Sequence, residues 1–291
     1  SLVRRIQKRM SDVDAETFTD YRDLLETDAA EFTALFDTVL INVTSFFRDP
    51  EAFAALEQQV IPQLFAERPA DAAVRVWVPG CSTGEEAYSI AILLLEYLEA
   101  ARRSVKLQVF ATDIDRRAID TARAGIYPAS IAADLSTERL ARFFVLEDDG
   151  LHYRVQKRVR DVLVFSEQDV IRDPPFSRLD LISCRNLLIY MGPELQKKLM
   201  PLFDYALRPG GYLFLGTSES VGDFGTLFSA VDRKAKIYQD RDDGHARFAG
   251  AARFLPPVPL TGIATRPPGR AGAGTREQLR ELTERALLQH Q

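Results

Sequence analysis

Apolar and polar residues alternate along short stretches of the chain, and residues 74–88 show this pattern most clearly. Every second residue from Val74 to Val78 is a valine, which predicts a β-strand. Gly80 and Gly84 then interrupt the pattern, and an apolar segment of helical length follows at 87–98. A strand, a glycine turn and a helix in this order bring backbone amides close to a ligand. Turns that bind nothing also use glycine, so the turn alone defines no site.

The same alternation returns several times and predicts an open parallel sheet with helices between its strands. The further predicted strands are 106–111, 162–165, 179–183 and 212–216, and 235–239 is expected to close the sheet as a hairpin partner. In such a sheet, ligands bind outside the carboxyl ends of the strands. We therefore expect the residues that follow these strands to carry the chemistry.

Glycine or a polar residue follows four of the predicted strands, at Gly80, Asp113, Asp169 and Asn186. Chance polar residues at strand ends are common, but four in register predict that one ligand contacts them all. An acid after the second strand of a βαβ unit commonly accepts hydrogen bonds from ribose hydroxyls, so Asp113 is the ribose candidate. Asp115 is expected to cap the next helix.

The first forty residues predict helices. In residues 1–10 the apolar side chains fall on one helical face and basic side chains such as Arg9 on the other. This basic face is either a solvated surface or a docking surface for an acidic partner helix. Asp28 and Glu31 have the spacing of a capping box before a second helix that ends near Ile41.

The string NVTSFFRDP follows that helix. Asp49 is expected to cap the next helix and Pro50 to open it. Asn42, Thr44 and Arg48 have no such role at a helix start. With two aromatic residues between them, they predict a polar wall over a bound ligand.

The region 125–160 breaks the alternation of strands and helices. A short helix is expected at 137–144, and the residues after it are expected to supply two or three extended segments around an acidic turn. We interpret this region as a small insertion on the main sheet. Its basic residues Lys157, Arg158 and Arg160 either protect an edge strand against aggregation or belong to a partner site.

The composition excludes several classes of protein. A chain of 291 residues with 46% hydrophobic content can bury a sizeable core in one or two domains. A net charge of -5 gives no broad attraction to nucleic acid or acidic lipid. Two cysteines, Cys81 and Cys184, are too few for a disulfide scaffold or a four-ligand zinc site, which fits a reducing compartment. No apolar run approaches the roughly 20 residues of a membrane span, and no signal peptide is recognised.

Two acidic residues at the glycine turn limit the class of ligand that can bind there. Glu85 and Glu86 lie where a phosphate would bind, and the Gly-Lys-Ser/Thr sequence of a P-loop is absent. A cationic or zwitterionic nucleoside therefore suits the turn better than a nucleotide.

Near the end of the chain, residues 242–275 have the composition of a flexible linker rich in proline, glycine and alanine. Residues 276–291 resume a helical pattern, as a terminal helix or as the start of a signalling helix that leads to a further module.

Three strings of residues are specific to one family: NVTSFFR from Asn42, STGEE with Tyr-Ser from Ser82, and CRN through Tyr190 from Cys184. On these strings the chain resembles the chemotaxis receptor methyltransferases, CheR, over about 2–241. The resemblance implies an α/β fold with a Rossmann-like class I methyltransferase sheet. It also implies a helical N-terminal domain at 1–48, a methyltransferase domain at 49–241 and an antiparallel β subdomain inserted at about 126–165.

The resemblance also implies the activity. CheR enzymes use S-adenosylmethionine (SAM) to methylate glutamate side chains in the cytoplasmic helical region of membrane chemoreceptors, giving glutamyl methyl esters and S-adenosylhomocysteine (SAH). The expected location is cytoplasmic, with no metal, no nucleic-acid partner and no insertion into the membrane. Further signalling domains in the same chain are consistent with the helix at 276–291.

Site residues carry over from the matching strings. Those implied to bind the cofactor are Asn42, Thr44, Arg48, Gly80, Glu85, Asp113, Asp169, Val170, Arg185 and Asn186. Within this set, Arg48 lies close to the methyl donor, Glu85 or its neighbour Glu86 binds the ammonium, Asp113 binds the ribose, and Asp169 with Val170 flanks the adenine. Arg48 and Tyr190 are the implied catalytic residues, with Tyr190 facing the methyl group. The sequence departs from commoner patterns in two places, because Asp169 stands where some relatives have asparagine and Ser82 stands where glycine is frequent.

The implied chemistry needs no general base. A glutamate carboxylate has an unperturbed pKa of about 4.3 and is already ionised at neutral pH. The work of the protein is then alignment, desolvation and the exclusion of water. Two alternatives stay open, a SAM methyltransferase with another substrate and a SAM-sensing module without catalysis.

Overall fold

The computed structural model describes residues 2–39, 44–66, 68 and 72–241. The chain divides into two compact units, with the boundary between Val43 and Thr44. The predicted linker at 242–275 and the predicted helix at 276–291 lie outside the described residues, as does Asn42. Among the residues that are described, no helix is both long and apolar enough to cross a membrane.

The described helices are α1 (Leu2–Asp12), α2 (Phe18–Thr27), α3 (Ala29–Val39), α4 (Pro50–Ala55), α5 (Ile61–Phe65), α6 (Glu85–Ala100), α7 (Arg116–Ala124), α8 (Thr137–Phe143), α9 (Lys157–Arg160) and α10 (Pro193–Ala206). A π-helical turn, Leu56–Val60, joins α4 to α5. The first unit contains α1 to α3, and the second contains the remaining helices.

A buried acid holds the helices of the first unit together. The Glu31 carboxylate accepts hydrogen bonds from the Tyr21 hydroxyl at 2.7 Å and from Arg9 Nε at 3.1 Å. The bond from Arg9 lowers the pKa of Glu31, while burial and the bond to Glu31 raise the pKa of Tyr21 to about 12. The predicted capping box is therefore only half formed, because Asp28 accepts from the amide of Glu31 but the Glu31 side chain points into the unit. Arg9 likewise pairs within the unit rather than joining a free basic face.

The strands of the second unit are β1 (Val74–Pro79), β2 (Leu107–Asp113), β3 (Ile126–Pro128), β4 (Phe144–Leu146), β5 (His152–Val155), β6 (Leu163–Glu167), β7 (Leu179–Cys184), β8 (Leu207–Leu215), β9 (Phe228–Asp232) and β10 (Ile237–Asp240). Seven of them form the main sheet in the order β6-β2-β1-β7-β8-β10-β9. The first five strands of this order, β6, β2, β1, β7 and β8, run parallel to one another. Strand β10 is antiparallel to both β8 and β9. The hairpin partner predicted at 235–239 is confirmed as β10, and β9 is an additional edge strand.

Alternation in β1 explains why helices cover both faces of the sheet. Val74, Val76 and Val78 pack in the cluster that contains the apolar side of α6. Trp77 faces the other way and packs edge-on against Phe203 of α10, with ring centroids 6.0 Å apart. Burial on both faces is typical of parallel sheets with crossover helices.

The predicted insertion is a three-stranded sheet in the order β3-β5-β4. It ends at Val155, because β6 pairs with β2 in the main sheet, and so the predicted end near 165 lies about ten residues too far along the chain. The basic run 157–160 is helix α9 rather than an edge strand. In that helix Arg158 pairs with Glu99 of α6, which ties α9 to the main sheet domain.

Residues 44–48 belong to the sheet domain rather than to the helical one, so the predicted boundary at 48 is also shifted. Phe46 packs edge-on against Tyr127 and Phe144, with centroids 5.0 and 5.2 Å away. The amide of Phe47 donates to the Ser89 hydroxyl on α6 at 2.9 Å. The two aromatic residues of the NVTSFFR string therefore anchor the segment to the sheet domain.

Candidate functional site

The carboxyl ends of β6, β2, β1 and β7 lie side by side at one edge of the sheet. The residues at or just after these ends are Asp169, Asp113, Gly80 and Asn186, in that spatial order. The chain runs from β1 through β2 to β6 in one direction, and from β7 to β8 in the other. The direction therefore reverses between β1 and β7, which is where ligands bind in open α/β sheets.

The turn after β1 requires glycine at two positions. Gly80 has φ +67°, and a Cβ there would lie 3.0 Å from the Leu187 side chain. Gly84 has φ +98°, and a Cβ there would lie 2.9 Å from Ala122 Cβ. Ser82 also has positive φ, at +50°, and its hydroxyl oxygen is buried with no hydrogen-bond partner among the described residues. The turn thus carries a buried polar atom that a ligand can satisfy.

Asp113 is fixed by backbone amides at the end of β2. Its two carboxylate oxygens accept from the amides of Ser82 at 2.7 Å and Asp115 at 2.9 Å. Burial raises the pKa of Asp113 even though these hydrogen bonds oppose the shift. The carboxylate oxygens can accept further hydrogen bonds from hydroxyl groups, and such bonds offset the desolvation of a partly buried carboxylate. Asp115 caps α7 as predicted, accepting from the amides of Arg117 and Ala118.

The carboxylates of Glu85 and Glu86 have different surroundings. Glu85, at the start of α6, is 9% exposed and accepts from the Thr83 hydroxyl at 2.7 Å. Burial raises its pKa, and no cationic side chain among the described residues forms an ion pair with it. Glu86 instead faces inward and accepts from the Ser183 hydroxyl at 2.6 Å. Burial raises the pKa of Glu86 to about 7. Of the two residues, only Glu86 has a cationic side chain nearby, since Arg185 lies 3.8 Å from it, and Glu85 has no ion-pair partner among the described residues.

Arg185 points into the protein. Its Nη1 donates to the carbonyl oxygen of Arg48 at 3.1 Å, and its Nη2 donates to Asp49 Oδ2 at 2.7 Å. Its guanidinium carbon lies 5.1 Å from the Phe53 ring and 4.7 Å from the Phe214 ring. Pro50 opens α4 as predicted, but the Asp49 side chain does not cap that helix, because it binds Arg185 instead.

Glu219 is a site residue that the sequence did not reveal. Its carboxylate accepts from the amides of Asn186 at 2.9 Å, Leu188 at 2.8 Å and Gly216 at 2.6 Å. These three bonds hold the turn after β7, where Asn186 has φ +58°, against the end of β8. The only sequence signal is a glycine after β8, since a Cβ on Gly216 would lie 2.8 Å from the Asn186 amide.

The other predicted site residues are Thr44, Arg48, Val170, Asp169 and Tyr190. Thr44 and Arg48 are half-buried, and Val170 packs partly against the core. Asp169 closes its own turn by accepting from the Ile171 amide at 2.9 Å. Tyr190 is 59% exposed on a short helical turn. Among the described residues, no hydrogen bond or ion pair joins Asp169 or Tyr190 to the other predicted site residues.

A groove of about 660 Å³ opens beside the Arg48–Asp49 turn. It is lined by Asp49, Pro50, Glu51, Ala52, Ala55, Thr217, Asp232, Lys234 and Ala235. Thr217 follows Gly216, whose amide donates to the same Glu219 oxygen as the amide of Asn186, so the groove borders the edge of the sheet that carries the site. In the described part of the chain, no group of three His, Cys, Asp or Glu residues could hold a metal ion.

Comparison with known families fits this geometry. Residues 42–237 match the family described as CheR methyltransferase, SAM binding domain, and residues 1–40 match CheR methyltransferase, all-alpha domain. The fold and the site define a SAM-dependent methyltransferase. Two matching domains in this order cover most of the sequence. The chain belongs to the CheR methyltransferase family, which confirms both the resemblance and the predicted fold class.

Similar proteins come from several bacteria. The chain is 43% identical to an uncharacterized 104.1 kDa protein of Rhodobacter capsulatus, over 84% of its own length but only 25% of that protein. It is 32% identical to a chemotaxis protein methyltransferase of Borreliella burgdorferi, over 71% of this chain and 75% of that one. It is 31% identical to chemotaxis protein methyltransferase 2 of Vibrio cholerae, over 77% and 79% of the two chains.

SAM is the cofactor of this domain, and the residues at the sheet edge fit it chemically. SAM offers a cationic sulfonium, an ammonium and two ribose hydroxyls. Glu85 is buried and Asp113 is half-buried, and neither carboxylate has an ion-pair partner among the described residues. Ser82 contributes an unsatisfied hydroxyl. An acidic, partly desolvated turn attracts a cationic nucleoside and repels phosphate.

Proposed function

We propose that the protein transfers a methyl group from SAM to glutamate side-chain carboxylates of methyl-accepting chemoreceptors. The products are glutamyl methyl esters and SAH, and the reaction takes place at the cytoplasmic helical region of the receptor. The observation that carries the proposal is the match of residues 42–237 to the SAM binding domain of CheR. Relatives named as chemotaxis protein methyltransferases support the choice of substrate.

The contacts at the sheet edge support specific roles in cofactor binding. Glu85, rather than Glu86, binds the ammonium of the methionine part, because Glu86 is already engaged with Ser183 and lies 3.8 Å from Arg185. Asp113 binds the ribose hydroxyls. On the other side of the site, Asp169 and Val170 flank the adenine, with Gly80 and Asn186 forming the floor and Thr44 the wall.

SAM supplies an electrophilic methyl group, so the chain needs to supply only position and environment. Arg48 holds the carboxylate of the substrate. Tyr190, exposed on the short helical turn that follows β7, positions the approaching receptor segment. Alignment of this kind is worth roughly 7 to 11 kcal/mol in favourable cases. Since the substrate glutamate is already ionised, no group in the protein has to remove a proton.

The domain organisation that accompanies this proposal has a helical unit at 1–43 and a methyltransferase domain at 44–241. The linker and the following helix at 242–291 remain predictions. The chain spans only a quarter of the 104.1 kDa relative. A larger signalling protein that contains this domain is consistent with that ratio.

The proposal is tested with labelled SAM and membranes that carry chemoreceptors. A methyl ester releases methanol in mild base, whereas N-methyl groups are stable. We expect Arg48→Ala to lower ester formation on the order of 100-fold, the usual loss when one charge-stabilising donor is removed from an active site. The control is Arg208→Ala, which removes an arginine that pairs with Asp180 at the opposite edge of the sheet.

Each other outcome identifies an alternative. Equal ester formation by Arg48→Ala and the wild type would remove the central role of Arg48. A base-stable product would favour a SAM methyltransferase with another substrate. SAM binding without turnover on any receptor fragment would favour a sensing module.

A further inference from the structure

Arg185 carries a fully buried charge, with 0% of its side chain exposed. An unpaired charge in this position would be strongly destabilising, so its partners show what it is there to hold. Two of its hydrogen bonds go to consecutive residues, to the carbonyl of Arg48 and to the carboxylate of Asp49. These partners lie more than 130 residues away in sequence. Arg185 therefore joins the end of β7 to the turn before α4.

That turn has a backbone that local interactions do not favour. Phe47 has φ +51° and Asp49 has φ +60°, a region that costs non-glycine residues of the order of 1 kcal/mol or more. On one side the turn is fixed by the bond from the Phe47 amide to the Ser89 hydroxyl. On the other side Arg185 fixes it, and Arg48 lies between the two anchors.

The direction of the Asp49 side chain supports this interpretation. An aspartate before a helix that begins with proline usually accepts from the first helix amides. Here Asp49 makes no such bond and pairs with Arg185. The rings of Phe53 and Phe214 enclose the guanidinium and keep its planar fork in one orientation.

We propose that Arg185 is a positioning residue that acts through Arg48, and that its guanidinium is not itself a ligand of the cofactor. The inference rests on the proposed function in one respect, namely that Arg48 lines the cofactor. The two Nη atoms of the planar guanidinium fix the positions of the Arg48 carbonyl and the Asp49 carboxylate together. A lysine has a single ammonium and cannot reproduce that geometry.

The test is a double-mutant cycle on SAH binding, measured by calorimetry without any receptor. Arg185→Lys is expected to weaken SAH binding about tenfold in the wild-type background. In the Arg48→Ala background the same substitution is expected to cost less than threefold, because the residue through which it acts is gone. Hydrogen exchange at 46–50 is expected to accelerate at least tenfold in Arg185→Lys without ligand.

A matched control separates positioning from general loss of structure. Arg68→Lys alters another buried arginine, which pairs with Asp180 at the opposite end of β7, and it is expected to leave SAH binding and exchange at 46–50 unchanged. If Arg185→Lys does not fold, Asp49→Asn removes the same ion pair from the other side and is expected to show the same coupling.

Three results would overturn the proposal: equal losses in both Arg48 backgrounds, an equal loss in Arg68→Lys, or unchanged exchange at 46–50. Because SAH binding involves no methyl acceptor, the cycle can succeed even if receptors prove not to be the substrate. The failure of one proposal is thus distinguishable from the failure of the other.

Discussion

The carboxyl of Glu86, whose side chain is 14% exposed, makes the stability of the protein depend on pH near neutrality. Burial raises its pKa to about 7 from an ordinary value of 4.5, despite the hydrogen bond from Ser183 and the nearby charge of Arg185. The folded protein therefore holds a proton at Glu86 between about pH 4.5 and 7, where the unfolded chain has lost it. When the folded state binds more protons, stability falls as pH rises.

The size of the effect follows from the shift. A difference of one pKa unit corresponds to about 1.4 kcal/mol, so a shift from 4.5 to about 7 corresponds to roughly 3 kcal/mol. The contribution of Glu86 is fully present below pH 4.5 and is lost as pH rises through 7. Glu86→Gln, which cannot ionise, should lack this loss. Relative to that variant, the wild type should lose about 3 kcal/mol of unfolding free energy between pH 5 and 8.

The assay is urea denaturation of both proteins at half-unit steps from pH 5 to pH 8. The control is Glu99→Gln. Burial opposes the shift at Glu99, but hydrogen bonds from Arg142 and Arg158 lower its pKa, so its contribution is lost only toward acid. The control and the wild type should run parallel above pH 6. A constant difference between Glu86→Gln and the wild type across the whole range would refute the reasoning.

Three further predictions concern the glycine turn, the helical unit and the ribose candidate. Gly84 has φ +98°, and a Cβ there would crowd Ala122, so Gly84→Ala should lower the unfolding free energy by about 2 to 4 kcal/mol. Gly150 has φ +65° but no neighbour within 4 Å of a Cβ, so Gly150→Ala should lower it by about 1 kcal/mol. Denaturant titrations measure both, and equal costs would contradict the crowding. Glu31→Gln should bring the pKa of Tyr21 down from about 12 toward 10, as followed by phenolate absorbance, while the exposed Glu26→Gln should not. Asp113→Asn should weaken SAH binding at least tenfold in calorimetry, and binding equal to that of the exposed control Asp120→Asn would remove Asp113 from the site.

Much of the sheet was predictable because its strands are apolar and short, and glycine or polar residues end them. The alternation in β1 is unambiguous, since valine occupies one face and Trp77 the other. Strand β9 was missed because it lies at the edge of the sheet and only Phe228 among its five residues is buried, so no alternation marks it. The helix at 157–160 was missed because four residues are too few for a helical period to show.

The site was predictable in outline for a different reason. Strand ends gather at one edge, so the residue types at Gly80, Asp113 and Asn186 indicated a common ligand. The direction of a side chain was not predictable in the same way. Arg185 binds Asp49 at a separation of 136 residues in sequence. Glu219 accepts hydrogen bonds from backbone amides in two different turns. Contacts of this kind leave no periodic pattern in the sequence.

The small sheet between α7 and β6 has a consequence for the order in which the protein folds. Pairing of β6 with β2 closes a loop that contains all the intervening residues, and the entropy lost in closing a loop grows with its length. The β4–β5 and β3–β5 pairs are more local, as in Phe144 opposite Val155 and Tyr127 opposite Tyr153. We expect the small sheet to form early and to shorten the free chain that must close. Substitutions that weaken β5 should then slow refolding at the far edge of the large sheet.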